Sequence, residues 1–142
     1  MSTIAVLGGS GRTGRPLIEA LLHRGHSVRT LARTPSALAE RPGMIVLPGS
    51  STDPASLDAV LSGSDAVLSA LGPRKDEPQL QSSTARLLIQ LMPMHDLSRF
   101  VGVSGAGIDV PGDDKPVKDR VISAVIRTSC SRKVTYRCSR RA

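Results

Sequence analysis

The sequence predicts an α/β protein on a doubly wound parallel sheet of about five strands. Three observations carry that expectation. Short aliphatic runs alternate with stretches long enough for helices, which is the pattern of crossover connections and parallel strands. The first run, Ile4 to Leu7, opens directly into a glycine-rich turn followed by an apolar-faced helical stretch. The first, fourth and fifth runs deliver Gly8, Leu71-Gly72 and Ser104 to one sheet edge, where ligands of such sheets lie.

The stretch Thr3 to Gly14, TIAVLGGSGRTG, organises the rest. Gly9-x-Gly11-x-x-Gly14 fits the dinucleotide fingerprint, and Gly8-x-x-Gly11-x-x-Gly14 fits its wider variant. Glycine serves a tight turn at positive φ, close approach of backbone to a pyrophosphate, and tight packing of helix on strand. The helix is expected to begin near Arg12, with its free N–H groups and positive dipole end facing the anion. A plain strand-to-helix turn is the alternative, and the strand before and helix after favour the phosphate site. Pro16 sits in the first helical turn, where a missing N–H costs little. Leu17, Ile18, Leu21 and Leu22 form a broad apolar face, and Gly25 is a C-cap candidate. His26 to Ala32 is the second strand, completing a βαβ unit with a right-handed crossover.

Arg33 follows that strand, 19 positions after Gly14. An acidic residue near that position holds the ribose 2′-hydroxyl of NAD, whereas arginine suits the 2′-phosphate of NADP. Two guanidinium hydrogen bonds can grip the phosphate, which a carboxylate would repel. Arg12 could add a second positive charge. NADP is therefore expected over NAD, the alternative being that both arginines are ordinary surface residues.

Pro35 to Arg41 reads as a short helix leaving through Pro42-Gly43, and Met44 to Leu47 as the third strand. Asp53-Pro54 starts the next helix, with Asp53 as N-cap rather than a chemical group. Leu57, Val60 and Leu61 are its apolar face. The fourth strand runs from Ala66 to Leu71 and stops at Gly72-Pro73. After a polar loop, Arg74 to Pro78, a helix from about Gln79 to Met92 buries Leu80, Leu87, Leu88 and Leu91, and Pro93 ends it. Arg99 to Ser104 is the fifth strand, and Gly105-Ala106-Gly107 leaves room for a ligand. Pro116 to Thr128 contains a helix-like apolar run, while Lys133 to Arg137 could be a short strand.

Composition excludes several classes. The 142 residues suit about one domain with a single core, built from aliphatic side chains because Phe100 and Tyr136 are the only aromatic residues. No stretch has the roughly 18 consecutive apolar residues of a membrane span, and no secretory signal is evident, so a cytoplasmic protein is expected. Cys130 and Cys138 make neither a disulfide framework nor a metal quartet. The net charge of +7 belongs to the tail: residues 115–142 carry nine Lys/Arg and one acid, whereas residues 1–114 carry 10 bases and 11 acids. Nucleic-acid binding is not expected, because only Tyr136 accompanies the basic residues.

In this combination the chain resembles the atypical short-chain dehydrogenase/reductases, a Rossmann-type NAD(P)H-binding group that includes the NmrA-like proteins and the biliverdin-IXβ/flavin reductases. The resemblance is carried by Val6 to Gly14, the run VRTLART to Thr34, Asp65-Ala66-Val67 with Leu71-Gly72, and Val103-Ser104, and it covers roughly residues 3–128. It assigns cofactor binding to Gly8, Gly9, Ser10, Gly11, Arg12, Thr13, Gly14 and Arg33. It also places Ala70, Leu71 and Gly72 on the nicotinamide side, with Ser104 beside the reacting groups as the candidate catalytic residue. A serine merely closing a strand is the alternative for Ser104.

The chain also departs from the family pattern. The family has Gly-Asp after the third strand, where this chain has Gly49-Ser50. The Tyr-x-x-x-Lys pair of classical members is absent; Tyr136 is followed by Arg140 and is not assigned a catalytic role. Relatives continue with a sixth strand and helices that wall the substrate pocket. The expectation is therefore a Rossmann domain over residues 1–128 whose C-terminal part is truncated or altered, and a basic tail over 129–142. The resemblance implies an NAD(P)H-dependent reductase of a small planar acceptor such as a flavin or tetrapyrrole. The alternatives are a non-catalytic NADP-binding sensor or an inactive truncated reductase.

Overall fold

A computed structural model describes residues 1–103 except Glu40, Pro73 and Lys75. Ser104, the run from Pro116 to Thr128 and the basic tail with Tyr136 lie outside the described residues. Among the described residues, five strands form one sheet: β1 (Thr3–Leu7), β2 (Ser27–Ala32), β3 (Met44–Pro48), β4 (Ala66–Ser69) and β5 (Phe100–Gly102). Their order is β3-β2-β1-β4-β5 and every neighbouring pair is parallel. The expected α/β doubly wound sheet is therefore present.

Alternation along β1 divides the core between the two faces, because successive strand side chains point to opposite sides. Ile4 and Val6 pack with Ile18 and Leu21 of α1 (Gly14–His23) and with Val28. Ala5 and Leu7 pack on the other face with Leu57, Val60 and Leu61 of α2 (Pro54–Leu61) and Leu88 of α3 (Leu80–Leu91). Both faces of β1 are thus buried, which requires an apolar residue at every position and explains the unbroken run Ile4 to Leu7.

Local chemistry sets the ends of the helices. Gly25, at φ +78°, follows α1; its N–H donates to Leu22 O and that of His26 to Leu21 O, both at 3.0 Å, the paired bonds of a Schellman stop. Asp53 caps α2 as expected: its Oδ2 accepts from Ser56 N at 2.8 Å and from Ser56 Oγ at 2.5 Å, and Pro54 follows in the first helical turn. Those bonds hold the Asp53 carboxyl below its ordinary pKa. At the other end of α2, Arg29 of β2 donates to the carbonyls of Ala59 at 2.9 Å and Val60 at 3.3 Å, placing a cation at the negative end of the helix dipole.

Several sequence boundaries are corrected. The helix expected near Arg12 becomes regular at Gly14, because the glycine loop first closes on itself through the bond from Gly11 N to Gly8 O at 3.0 Å. The helix expected over Pro35 to Arg41 is a single 3₁₀ turn, Pro35–Ala37. Leu38 leaves it in extended backbone and is buried, and one turn is too little to propagate an α-helix. β4 stops at Ser69 rather than Leu71: its last residue pair with β1 is Leu7 with Ser69, followed by the bond from Ala70 N to Leu7 O at 2.9 Å. α3 ends at Leu91 and a second 3₁₀ turn, Met92–His95, carries the chain past Pro93. Within α3, Leu80 and Leu88 are buried as expected, Leu87 and Leu91 are half-buried, and the third buried position is Thr84. No helix among the described residues is long and apolar enough to cross a membrane.

Candidate functional site

Strand order reverses between β1 and β4, so the loops leaving these two strands diverge and open a crevice at their carboxyl ends. A cleft of about 460 Å³ lies there. One wall is the glycine loop, the opposite wall is Ala70-Leu71-Gly72 with Leu80, and Leu31, Ala32 and Arg33 at the end of β2 form the rim.

The two walls are held close by backbone contact. Gly8 has φ +79°, and a Cβ there would meet the Ala70 carbonyl carbon and oxygen at 3.0 Å. The position requires glycine for its conformation and for its space. Gly14 is buried at the start of α1, and a Cβ on it would overlap the Gly8 carbonyl. These two glycines bring the helix N-terminus up to the strand end. The N–H groups of Gly11 and Arg15 are taken by the Gly8 and Gly11 carbonyls. Among the described residues, those of Arg12, Thr13 and Gly14 have no acceptor. Arg12 and Thr13 line the cleft, and free N–H groups there, at the positive end of a ten-residue helix, suit the charge of a phosphate.

Of the sequence-assigned cofactor residues, Gly8, Ser10, Gly11, Arg12, Thr13, Arg33, Ala70, Leu71 and Gly72 line the cleft. Gly9 and Gly14 do not; they are buried behind the loop and shape it instead. Ser104 lies outside the described residues. Arg33 is at the rim, about half exposed, and its Nη1 is 3.5 Å from Glu77 Oε2.

Arg15 and Gln81, which brace the cleft walls without lining the cleft, and several residues that do line it escaped the sequence reading. Arg15 donates from Nε to Ser10 O at 3.1 Å and from Nη2 to Ala37 O at 2.7 Å, bracing the glycine loop against the 3₁₀ turn. Gln81 of α3 donates to Leu71 O at 2.6 Å and so fixes the opposite wall. Gly49, Ser50 and Ser51 also line the cleft, where the family pattern places Gly-Asp. Ser51 is buried and accepts from Thr84 Oγ1 at 3.1 Å, which accounts for the polar residue on the buried side of α3. Arg74 and Glu77 reach the cleft from the loop after β4. The rule that ligands lie at strand carboxyl ends points to this loop, but the side chains that turn inward depend on its path. No cluster of metal-ligating side chains is present among the described residues.

The profile of a family described as NAD(P)H-binding matches residues 8–135. Among curated proteins, a 3β-hydroxysteroid dehydrogenase/Δ5→4-isomerase of Mycobacterium tuberculosis is 39% identical over 67 residues, 47% of this chain and 18% of its own. Among solved structures, a short-chain dehydrogenase/reductase superfamily protein of Agrobacterium tumefaciens with bound NAD has a TM-score of 0.63 and 28% identity, over 75% of this chain and 33% of that one. An oxidoreductase of Lactococcus lactis shares the fold, with a TM-score of 0.67 and 18% identity over 89% of this chain and 63% of that one. The chain thus spans less than a fifth of the curated relative and under two thirds of either structure.

Proposed function

The chain belongs to the NAD(P)H-binding family, and from that membership we propose that it is an NADPH-dependent oxidoreductase of the short-chain dehydrogenase/reductase type, acting on a small planar acceptor such as a flavin or tetrapyrrole. The observation that carries this reading is the pairing, across one cleft, of the acceptor-free N–H groups of Arg12 and Thr13 with the Arg33 guanidinium at the rim. The helix N-terminus suits the pyrophosphate and Arg33 the 2′-phosphate, two anionic groups held apart by a ribose.

When bound, the nicotinamide supplies the hydride, and the protein has to position it and keep the acceptor close. Ala70, Leu71 and Gly72 offer a backbone wall for that ring, and Gln81 holds the wall still through Leu71 O. Ser104, the residue after Val103, is the candidate for hydrogen-bonding the acceptor or orienting a water. Val103 N donates to Ser69 O at 2.9 Å, so the described chain is still paired to the end of β4 at Val103.

Thermal unfolding of wild type and Arg33→Ala with NADP(H), with NAD(H) and without ligand tests the reading. Ligand at about 100 times its Kd stabilises the native state by about 2.7 kcal/mol, a shift of a few degrees in Tm. A rise with NADP(H) that Arg33→Ala reduces to the NAD(H) level is the expected result. No rise with either cofactor would end the proposal. An acceptor screen follows, with flavins, tetrapyrroles and, because of the matched relative, 3β-hydroxysteroids and their ketones. Binding of NADP(H) without turnover of any acceptor would favour a sensor over an enzyme.

A further inference from the structure

Glu77 sits in the cleft with its carboxylate between two cations. One oxygen, Oε2, is 3.5 Å from Arg33 Nη1 and 3.5 Å from Arg74 Nε. Arg33 stands at the end of β2 and Arg74 on the loop after β4, so a single carboxylate spans the rim between two elements that β1 separates in the sheet. Arg74 is also held by Asp76, through bonds from Nε to Oδ1 at 3.1 Å and from Nη2 to Oδ2 at 2.9 Å. Arg33, by contrast, has the contact with Glu77 as its one ion pair among the described residues. The cation assigned to a phosphate is thus already matched with a carboxylate of the protein.

We propose that Glu77 is a specificity-determining residue that competes with the 2′-phosphate for Arg33. This rests on the reading that the cleft holds a dinucleotide with its adenosine ribose at the rim. A phosphate monoester carries between one and two negative charges near neutral pH, and it meets a like charge at Arg33. Glu77 must swing away or stay and repel it. An unphosphorylated ribose brings no such charge and leaves the Glu77–Arg33 contact in place. Glu77 therefore narrows the preference for NADP(H) over NAD(H) that Arg33 would set alone. The side chains of Arg33 and Glu77 are 51% and 35% exposed, so the effect has the size of an exposed ion pair and weakens with salt.

The test is calorimetric binding of NADP⁺, NAD⁺ and 2′,5′-ADP to the full chain, as wild type, Glu77→Gln, Arg33→Ala and the double variant, at low and high salt. Glutamine keeps the shape and removes the charge at a partly exposed position. Glu77→Gln is expected to bind NADP⁺ and 2′,5′-ADP about three- to fivefold tighter, with NAD⁺ unchanged. The gain shrinks at high salt and vanishes in the Arg33→Ala background. Equal binding of 2′,5′-ADP by wild type and Glu77→Gln, or an equal gain for NAD⁺, overturns the proposal and leaves the cofactor reading standing. If no variant binds any of the three ligands, the cofactor reading fails and this proposal fails with it. A wild type that prefers NAD⁺, with Glu77→Gln shifted toward NADP⁺, supports the role of Glu77 and removes only the NADP preference.

Discussion

The hydroxyl of Thr30 donates to the carbonyl of Val6 at 2.7 Å. It does so beneath the glycine loop, where a Cβ on Gly9 would collide with that same hydroxyl. Thr30 is fully buried in β2, and Val6 is the residue before the last of β1. A side-chain bond thus supplements the parallel ladder at the point where β1 is about to turn into the glycine loop.

Thr30→Val keeps the shape and removes the bond. Loss of a buried hydrogen bond that leaves a carbonyl without this partner costs about 1–2 kcal/mol. Urea unfolding should show a lower midpoint with an unchanged m value. An unaltered midpoint would mean that the Val6 carbonyl is satisfied by the ladder alone.

Gly14→Ala places a methyl against the Gly8 carbonyl. Backbone cannot yield as a flexible side chain does, so the expected cost is about 1–3 kcal/mol. Dinucleotide affinity should fall with it, because the helix N-terminus moves away from the cleft. Gly25→Ala acts only through its positive φ, since a Cβ there meets nothing within 4 Å. It should therefore lower Tm without changing affinity, and comparing the two variants separates fold from site.

Leu57 is fully buried among Ala5, Leu7, Leu31 and Val60. Leu57→Ala should destabilise the domain by about 2–5 kcal/mol, a large fraction of the stability of a domain this size. Ile89 is 76% exposed on α3, and Ile89→Ala should change stability by less than about 0.5 kcal/mol. Chemical denaturation of the pair checks whether the described face of the sheet carries the core.

The bonds from the Ser56 hydroxyl and N–H hold the Asp53 carboxyl below the usual aspartate range. Its folded pKa lies below the unfolded value, so its contribution is present above the unfolded pKa and is lost as pH falls through the folded one. Wild type and Asp53→Ala should differ in Tm by a few degrees near neutral pH. The gap should close as the pH falls through the lowered pKa of the folded state. A gap independent of pH would assign the effect to helix propensity instead of the cap.

Much of this architecture is local, and local features are legible in sequence. Ile4 to Leu7 must be a strand buried on both faces because every position is apolar. Asp53-Pro54 starts a helix because the carboxylate and the proline each suit one terminal position, and Gly25 stops one because only glycine enters its backbone conformation freely. The glycine loop, Arg33 and the Ala70 to Gly72 wall converge on one cleft because a parallel sheet sends all its strand ends to the same edge.

The tertiary structure decided which polar side chains face that edge and what they meet there. Arg15 bracing the loop, Gln81 holding Leu71, Thr84 bonding Ser51 and Glu77 engaging Arg33 join residues 5 to 44 positions apart. No period or motif encodes those pairings. A hydrogen bond or ion pair depends on a separation of about 3 Å, and that distance is fixed only when the sheet has brought its strand ends and loops together.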